Sequence, residues 1–304
     1  MSRPDNQEAW GRFWSNRRSS ASGSLPKGLQ KIDLVQRQHW HAFARSLAKG
    51  ARVLDLGTGD GVVLGKMSLV RPDLKLVGVD SSPSLPPSPR RMILKPRVEM
   101  ERLPFPDASF DAVVSQFGLE YADTSTAALE VGRVLRPDGR LQLIVHHRSG
   151  PIVAHNLPRR EALAWASSPD QYLEKARALV RARARAQLPT PEFFVQAPHE
   201  ARRRYPSEVV ATEFVGAILE TLELGRAARP SESLEVLQAL EERAGNEIAR
   251  IDALERVACD AGGIDTILKK LRAGSVEAAE PREIFEEGAQ RPFAWLLSGY
   301  RKGQ

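Results

Sequence analysis

The stretch VLDLGTGDGVV at residues 53–63 constrains this chain more than any other. An apolar run closes on Asp55, three glycines follow at 57, 59 and 61, and apolar residues then resume. Glycines at alternate positions permit left-handed dihedrals and let a ligand approach the backbone closely. A strand, a bare turn and a helix in that order begin a parallel βαβ unit, so the sheet is expected to be mainly parallel with helices on both faces. The spacing also discriminates among ligands. The dinucleotide fingerprint G-x-G-x-x-G needs a glycine where Val62 stands. The P-loop needs Gly-Lys-Ser/Thr after its glycines, which this turn lacks. What remains is D-x-G-x-G-x-G.

The flanking sequence carries the same alternation. Residues 74–80 (LKLVGVD), 110–117 (FDAVVSQF) and 140–147 (RLQLIVHH) read as strands, with a weaker one at 97–100 (RVEM). Residues 60–70 and 124–135 read as helices, the second stopped by Arg136-Pro137-Asp138-Gly139. Five prolines between 81 and 97 argue against a helix there. Upstream, residues 29–48 read as a helix whose apolar side is Ile32, Val35, Trp40, Phe43 and Leu47. Past 150 the pattern is helical to about 272, with one stripe at Val210, Phe214, Ile218 and Leu222 and another from Leu237 to Leu254, stopped by Gly262-Gly263. REIFEE, a GAQ turn and RPFAWLLSGYRK then read as a β-hairpin.

Charge is uneven along the 304 residues. The net formal charge is +6, yet residues 1–50 hold nine Lys/Arg against three Asp/Glu, and residues 159–204 hold ten against five. Such a patch either meets an anionic partner or is a solvated helix face. A lone cysteine, Cys259, excludes a disulfide framework or thiolate metal cluster within the chain and fits a cytoplasmic setting; no metal site is expected. The first twenty residues lack the apolar core of a secretory signal, and no apolar run reaches membrane-spanning length.

D55-L-G57-T-G59-D-G61 resembles the first motif of the class I S-adenosylmethionine-dependent methyltransferases. Four further pieces agree in order. VGVD ends the second strand with Asp80. E99-M-E-R-L-P-F105 followed by PDASFD resembles a segment of the small-molecule, ubiquinone/menaquinone-biosynthesis-like branch. SQFGLEY (115–121) resembles the segment lining the methionine end of the cofactor. EVGRVLRPDGRLQLIV resembles the helix–turn–fifth-strand signature. The match covers roughly residues 50–148 and 282–302. It departs from the pattern at Glu99, where the family usually has Asp, and at the proline-rich 81–89, where the family has a helix.

The resemblance implies an α/β fold with a Rossmann-like seven-stranded sheet, a C-terminal antiparallel hairpin and an inserted helical subdomain. It divides the chain into an N-terminal helical extension (1–50), a cofactor-binding domain (51–150 and 275–304) and a helical insertion (151–274) lidding the substrate. The implied cofactor is S-adenosylmethionine, bound by Asp55, Gly57, Thr58, Gly59, Gly61, Asp80, Ser81, Glu99, Met100 and Gln116. Asp80 would take the ribose hydroxyls, Glu99 the adenine amino group, and Met100 would lie on the ring. His146 and His147 close the fifth strand, where open α/β sheets bind ligands. Alternate strand residues face opposite ways, so at most one is the candidate base; the other reading is two polar strand-end residues. Glu120 and Tyr121 either line the acceptor or sit in a surface loop. Trp10 and Trp14, with Phe13, either clamp the ligand or staple a helix to the body. The expected activity is methyl transfer to a small-molecule acceptor. The rivals are an RNA or protein acceptor met by the basic helices, and a non-catalytic scaffold that binds the cofactor.

Overall fold

The computed structural model describes residues 30–87, 92–226 and 228–303. The chain divides into two compact units, one formed by residues up to 154 together with 253 onward, the other by 155–252.

The first unit holds the sheet. Strands β1 (Arg52–Leu56), β2 (Lys75–Val79), β3 (Met92–Lys95), β4 (Phe110–Gln116) and β5 (Leu135–His146) run parallel, and β8 (Pro292–Arg301) lies antiparallel to β5. The order is β3-β2-β1-β4-β5-β8. The chain winds outward from β1 to β3, then returns to β4 on the other side. That reversal opens a crevice at the carboxyl ends of β1 and β4, the usual ligand position in open α/β sheets. The far edge of β8 takes two short antiparallel strands, β6 (Val276–Ala278) and β7 (Arg282–Phe285). Eight strands thus fill what the sequence suggests is a seven-position sheet; β6, three residues long, carries no alternation from which to read it.

Helices α1 (Gln30–Arg45) and α2 (Val62–Val70) pack together. α1 presents Ile32, Trp40, Phe43 and Ala44, all buried. At the foot of the pair the Arg71 guanidinium donates to the Ala44, Leu47 and Ala48 carbonyls at 3.1, 2.8 and 2.9 Å, satisfying acceptors at and just past the end of α1. Higher up, the buried ammonium of Lys66 meets Asp33 at 2.7 Å. α3 (Thr124–Val134) is capped by the Asp123 carboxylate on Ser125 N and Thr126 N. It packs against α9 (Ala261–Ala273), and Val131, Ile264, Leu268 and Leu271 join the core of the sheet. Gly132 and Gly274 permit this approach: a Cβ on Gly132 would lie 1.7 Å from the Gly274 carbonyl oxygen.

The second unit is helical. It contains most of α4 (Pro151–Ala166) and α8 (Pro230–Val257), with α5 (Glu174–Arg183), α6 (Glu192–Arg204) and α7 (Val209–Leu224) between them. The stripe Val210, Phe214, Ile218 and Leu222 is buried, with Leu173, Phe194 and Leu237 in the same core. No described helix is long and apolar enough to cross a membrane.

Three local readings change. The third strand lies at 92–95, not 97–100, because residues 92–95 pair in register with Leu76–Val79. Pro96 then offers no N–H to extend the ladder, and Arg97 turns at φ 57°. Gly262-Gly263 does not stop a helix: α8 ends at Val257, and both glycines sit in the first turn of α9, where the Asp260 side chain caps Gly263 N at 2.9 Å. Finally, α9 packs on α3 within the first unit, so the separate helical unit runs 155–252 rather than 151–274.

Candidate functional site

One wall of the crevice is the glycine turn. Gly57, Gly59 and Gly61 have φ of +66°, +53° and +76°, a region costing other residues roughly 1–2 kcal/mol each. Thr58 ties the turn to both neighbouring strands. Its N–H donates to the Val79 carbonyl at 2.9 Å, and its hydroxyl to Asp55 Oδ2 at 2.7 Å. Asp80 closes the turn from β2, its two carboxylate oxygens accepting Gly59 N and Ser82 N, each at 2.9 Å. Asp55 is wholly enclosed. Burial pushes its carboxyl up to about 8, the Thr58 hydroxyl bond opposes the rise, and the charges of Asp80 and Asp60 add to it. Asp55 Oδ1 and the Ser82 hydroxyl are buried with no hydrogen-bond partner among the described residues. Ser81 follows Asp80 and is half-buried.

The other wall rises from the end of β4. The Ser115 hydroxyl donates to the Leu56 carbonyl at 2.7 Å and accepts Leu119 N at 3.1 Å, locking the end of β1 to a single 3₁₀ turn, Leu119–Tyr121. Gly118 Cα stands 3.1 Å from where a Cβ on Gly57 would be, and Met100 Cε 3.7 Å from it. The two walls therefore meet backbone to backbone. Gln116 points toward α1, where its Oε1 accepts the Trp40 indole N–H at 2.7 Å.

His146 and His147 diverge as the pleat requires. The Glu120 Oε1 accepts both the backbone N–H of His146 at 3.0 Å and its ring Nδ1 at 2.9 Å. The imidazole stacks on Phe117 with centroids 3.9 Å apart, and Tyr121 meets its edge at 6.0 Å. The Glu120 side chain is 2% exposed, and its Oε2 has no partner among the described residues. On the opposite face, His147 stacks on Trp295, accepts Ser149 N at Nδ1 (3.1 Å) and places Nε2 3.2 Å from Glu283. Cys259 lies beyond it as a buried free thiol, pushed up to about 11 mainly by burial.

The E-M-E-R-L-P-F segment has a double character. Leu103 and Phe105 are core residues, while Glu99 is exposed. Arg133 of α3 holds the segment by donating to the Leu103 and Phe105 carbonyls at 3.0 and 2.7 Å. Trp10 and Trp14 lie outside the described residues. Phe117 was not singled out from the sequence: its φ of 56° is rare for a bulky residue and marks the strained end of β4. The signal for it was the aromatic–glycine pair closing a strand.

The chemistry of these walls suits S-adenosylmethionine. Left-handed glycines bring bare backbone to the ligand, and the Asp80 carboxylate suits a cation rich in hydroxyl and ammonium donors. The unpartnered Asp55 Oδ1 and Ser82 hydroxyl leave positions for such donors.

A family profile described as a methyltransferase domain matches residues 54–143. A demethylmenaquinone methyltransferase from Deinococcus radiodurans is 37% identical over 112 residues, 34% of this chain and 46% of that protein. Against this relative, the chain spans about half of the relative's length. The Mycobacterium marinum demethylmenaquinone methyltransferase is 34% identical over 164 residues, 49% of this chain and 69% of that protein. Among solved structures, a chain of the complex between the Haloferax volcanii Trm112 methyltransferase activator and a methyltransferase superposes with TM-score 0.50 at 14% identity. It covers 97% of this chain and 99% of that one. The likeness to the mycobacterial protein, which spans more than two thirds of it, accords with the glycine turn and the sheet order: the chain belongs to the class I S-adenosylmethionine-dependent methyltransferase family.

Proposed function

We propose that the chain transfers a methyl group from S-adenosylmethionine to a small-molecule acceptor in the cytoplasm. The observation that carries this reading is the turn of three left-handed glycines closed by Asp80. Asp55, Thr58 and the glycine backbone would cradle the donor, Asp80 and Ser81 its ribose, Glu99 and Met100 its adenine, and Gln116 would flank the opposite end. When bound, the donor supplies a methyl group already activated on a sulfonium.

The protein's work is then positioning and exclusion of water, worth up to about 7–11 kcal/mol in ideal geometry. His146 is the candidate base. Glu120 holds its Nδ1, so Nε2 is the nitrogen that takes a proton from the acceptor. His147 is held by Ser149, Glu283 and Trp295 and takes no part. The relatives' names specify demethylmenaquinone, a small molecule, which favours an acceptor of that size. An RNA acceptor gains little support from the basic helices: Arg177 pairs with Glu174 and Glu241, and Arg183 donates to the Leu188 and Leu222 carbonyls.

Titration calorimetry with S-adenosylhomocysteine, the demethylated donor, tests the cradle. Binding of micromolar strength or better is expected for the native chain. Gly59→Val places a branched side chain at φ +53° and should abolish binding. Asp80→Ala, which frees Gly59 N, should do the same. Unchanged binding in both variants would sink the assignment.

A further inference from the structure

Gln36 lies on the sheet-facing side of α1, one turn before Trp40, and is completely buried. Neither its amide nitrogen nor its amide oxygen has a hydrogen-bond partner among the described residues. A buried carboxamide with both ends unmet is costly, because donor and acceptor have both left water without replacement. In a folded chain such a group is completed by ordered water or by a ligand.

Two sets of contacts fix where Gln36 lies. Along α2, Arg71 holds the carbonyls of Ala44 and Leu47 while Lys66 meets Asp33, so the two helices run in the same direction. Climbing α1 from Ala44 to Gln36 matches climbing α2 from Arg71 to its first residues, which adjoin Gly61. Against the sheet, Phe43 sits under Arg140, just before the buried half of β5, and Trp40 reaches Gln116 at the carboxyl end of β4. Another helical turn, about 6 Å, carries Gln36 beyond the strand ends. Both routes place it at the level of the glycine turn, on the β4 side of the crevice.

We infer that the Gln36 carboxamide binds the amino-acid end of the methyl donor, accepting from its ammonium and donating to its carboxylate. This rests on the donor reading above. Asp80 lies on the β2 side of β1 and Gln36 on the β4 side, so a donor whose ribose meets Asp80 extends its amino-acid end toward Gln36. That end is a zwitterion, and a carboxamide is the neutral side chain that offers a donor pair and an acceptor together.

Calorimetry with two probes separates this role from a structural one. S-adenosylhomocysteine carries the amino-acid end; 5′-methylthioadenosine lacks it. Gln36→Leu and Gln36→Met, both close in volume, should weaken S-adenosylhomocysteine about tenfold or more and leave 5′-methylthioadenosine within about twofold. The ligand-free variants should melt no lower than the native chain, since an unmet amide has been removed. Equal weakening of both probes, or no weakening of either, in both variants would overturn the assignment. A native chain that binds 5′-methylthioadenosine as tightly as S-adenosylhomocysteine also overturns it while leaving the adenosine cradle standing. A native chain that binds neither overturns the donor reading itself and this assignment with it.

Discussion

Glu120 Oε1 takes two N–H groups from one residue, the backbone and the ring of His146. An oxygen already accepting the backbone N–H is an acceptor for the ring as well, so neutral His146 carries its proton on Nδ1. His147 is the reverse: its Nδ1 accepts Ser149 N, which leaves the proton on Nε2, facing Glu283. Long-range nitrogen–proton correlation spectra of uniformly labelled protein at mildly alkaline pH should therefore show one histidine of each tautomer for this pair. Assignment by His146→Gln and His147→Gln completes the test, and the same tautomer at both positions would contradict the arrangement. The two residues are neighbours in sequence, so the pleat alone separated them, and that much was legible beforehand. So were the three glycines, because a positive φ is a demand only glycine meets cheaply. Phe117, Trp40 and Gln36 were not legible as site residues. The positions of Trp40 and Gln36 depend on how α1 lies along β4, and a helix's apolar stripe says which face is buried but not what it is buried against.

At the scale of elements, Arg133 shows how a helix fixes a loop. It donates to the Leu103 and Phe105 carbonyls, pairs with Glu130 at 2.6 Å and with Asp107 at 2.8 Å, and so holds the segment that puts Met100 beside Gly57. Charged hydrogen bonds are worth about 1.5–3 kcal/mol each when buried; with the Arg133 side chain 30% exposed, solvent screening leaves less. Arg133→Met should cost about 2 kcal/mol in total and lower Tm by roughly 4–8 °C in a domain of this size. Arg133→Lys should recover little, because one ammonium cannot span two carbonyls and two carboxylates. Differential scanning calorimetry of both variants decides it, and a Lys variant as stable as the native chain would argue against the fork. The sequence showed this arginine only as part of a motif. Its carbonyl partners on Leu103 and Phe105 stand about thirty residues away, and no local periodicity reports such a contact. Gly262-Gly263 misled for the opposite reason: a glycine pair is a stop after a helix and a tolerated start before one, and only the capping carboxylate of Asp260 tells the two apart.

For the whole molecule, the division into two units makes the first one self-sufficient. The sheet, both walls of the crevice and α1 all belong to it, and its core draws α9 from beyond the helical unit. The second unit buries its own stripe of Val210, Phe214, Ile218 and Leu222 with Phe194 and Leu237. Replacing residues 155–252 with a flexible Gly/Ser linker therefore removes one core and leaves the other whole. Closing the remaining gap costs little, since each doubling of loop length adds only about 0.6 kcal/mol. The shortened chain should unfold cooperatively and bind S-adenosylhomocysteine within a few-fold of the native affinity. If the helical insertion serves the acceptor, as its place between the fifth strand and the closing hairpin suggests, the shortened chain should also lose turnover of any acceptor the native chain methylates. Loss of S-adenosylhomocysteine binding from a cooperatively folded product would show that the donor site draws on the helical unit. Retained turnover would show that the acceptor needs nothing from residues 155–252.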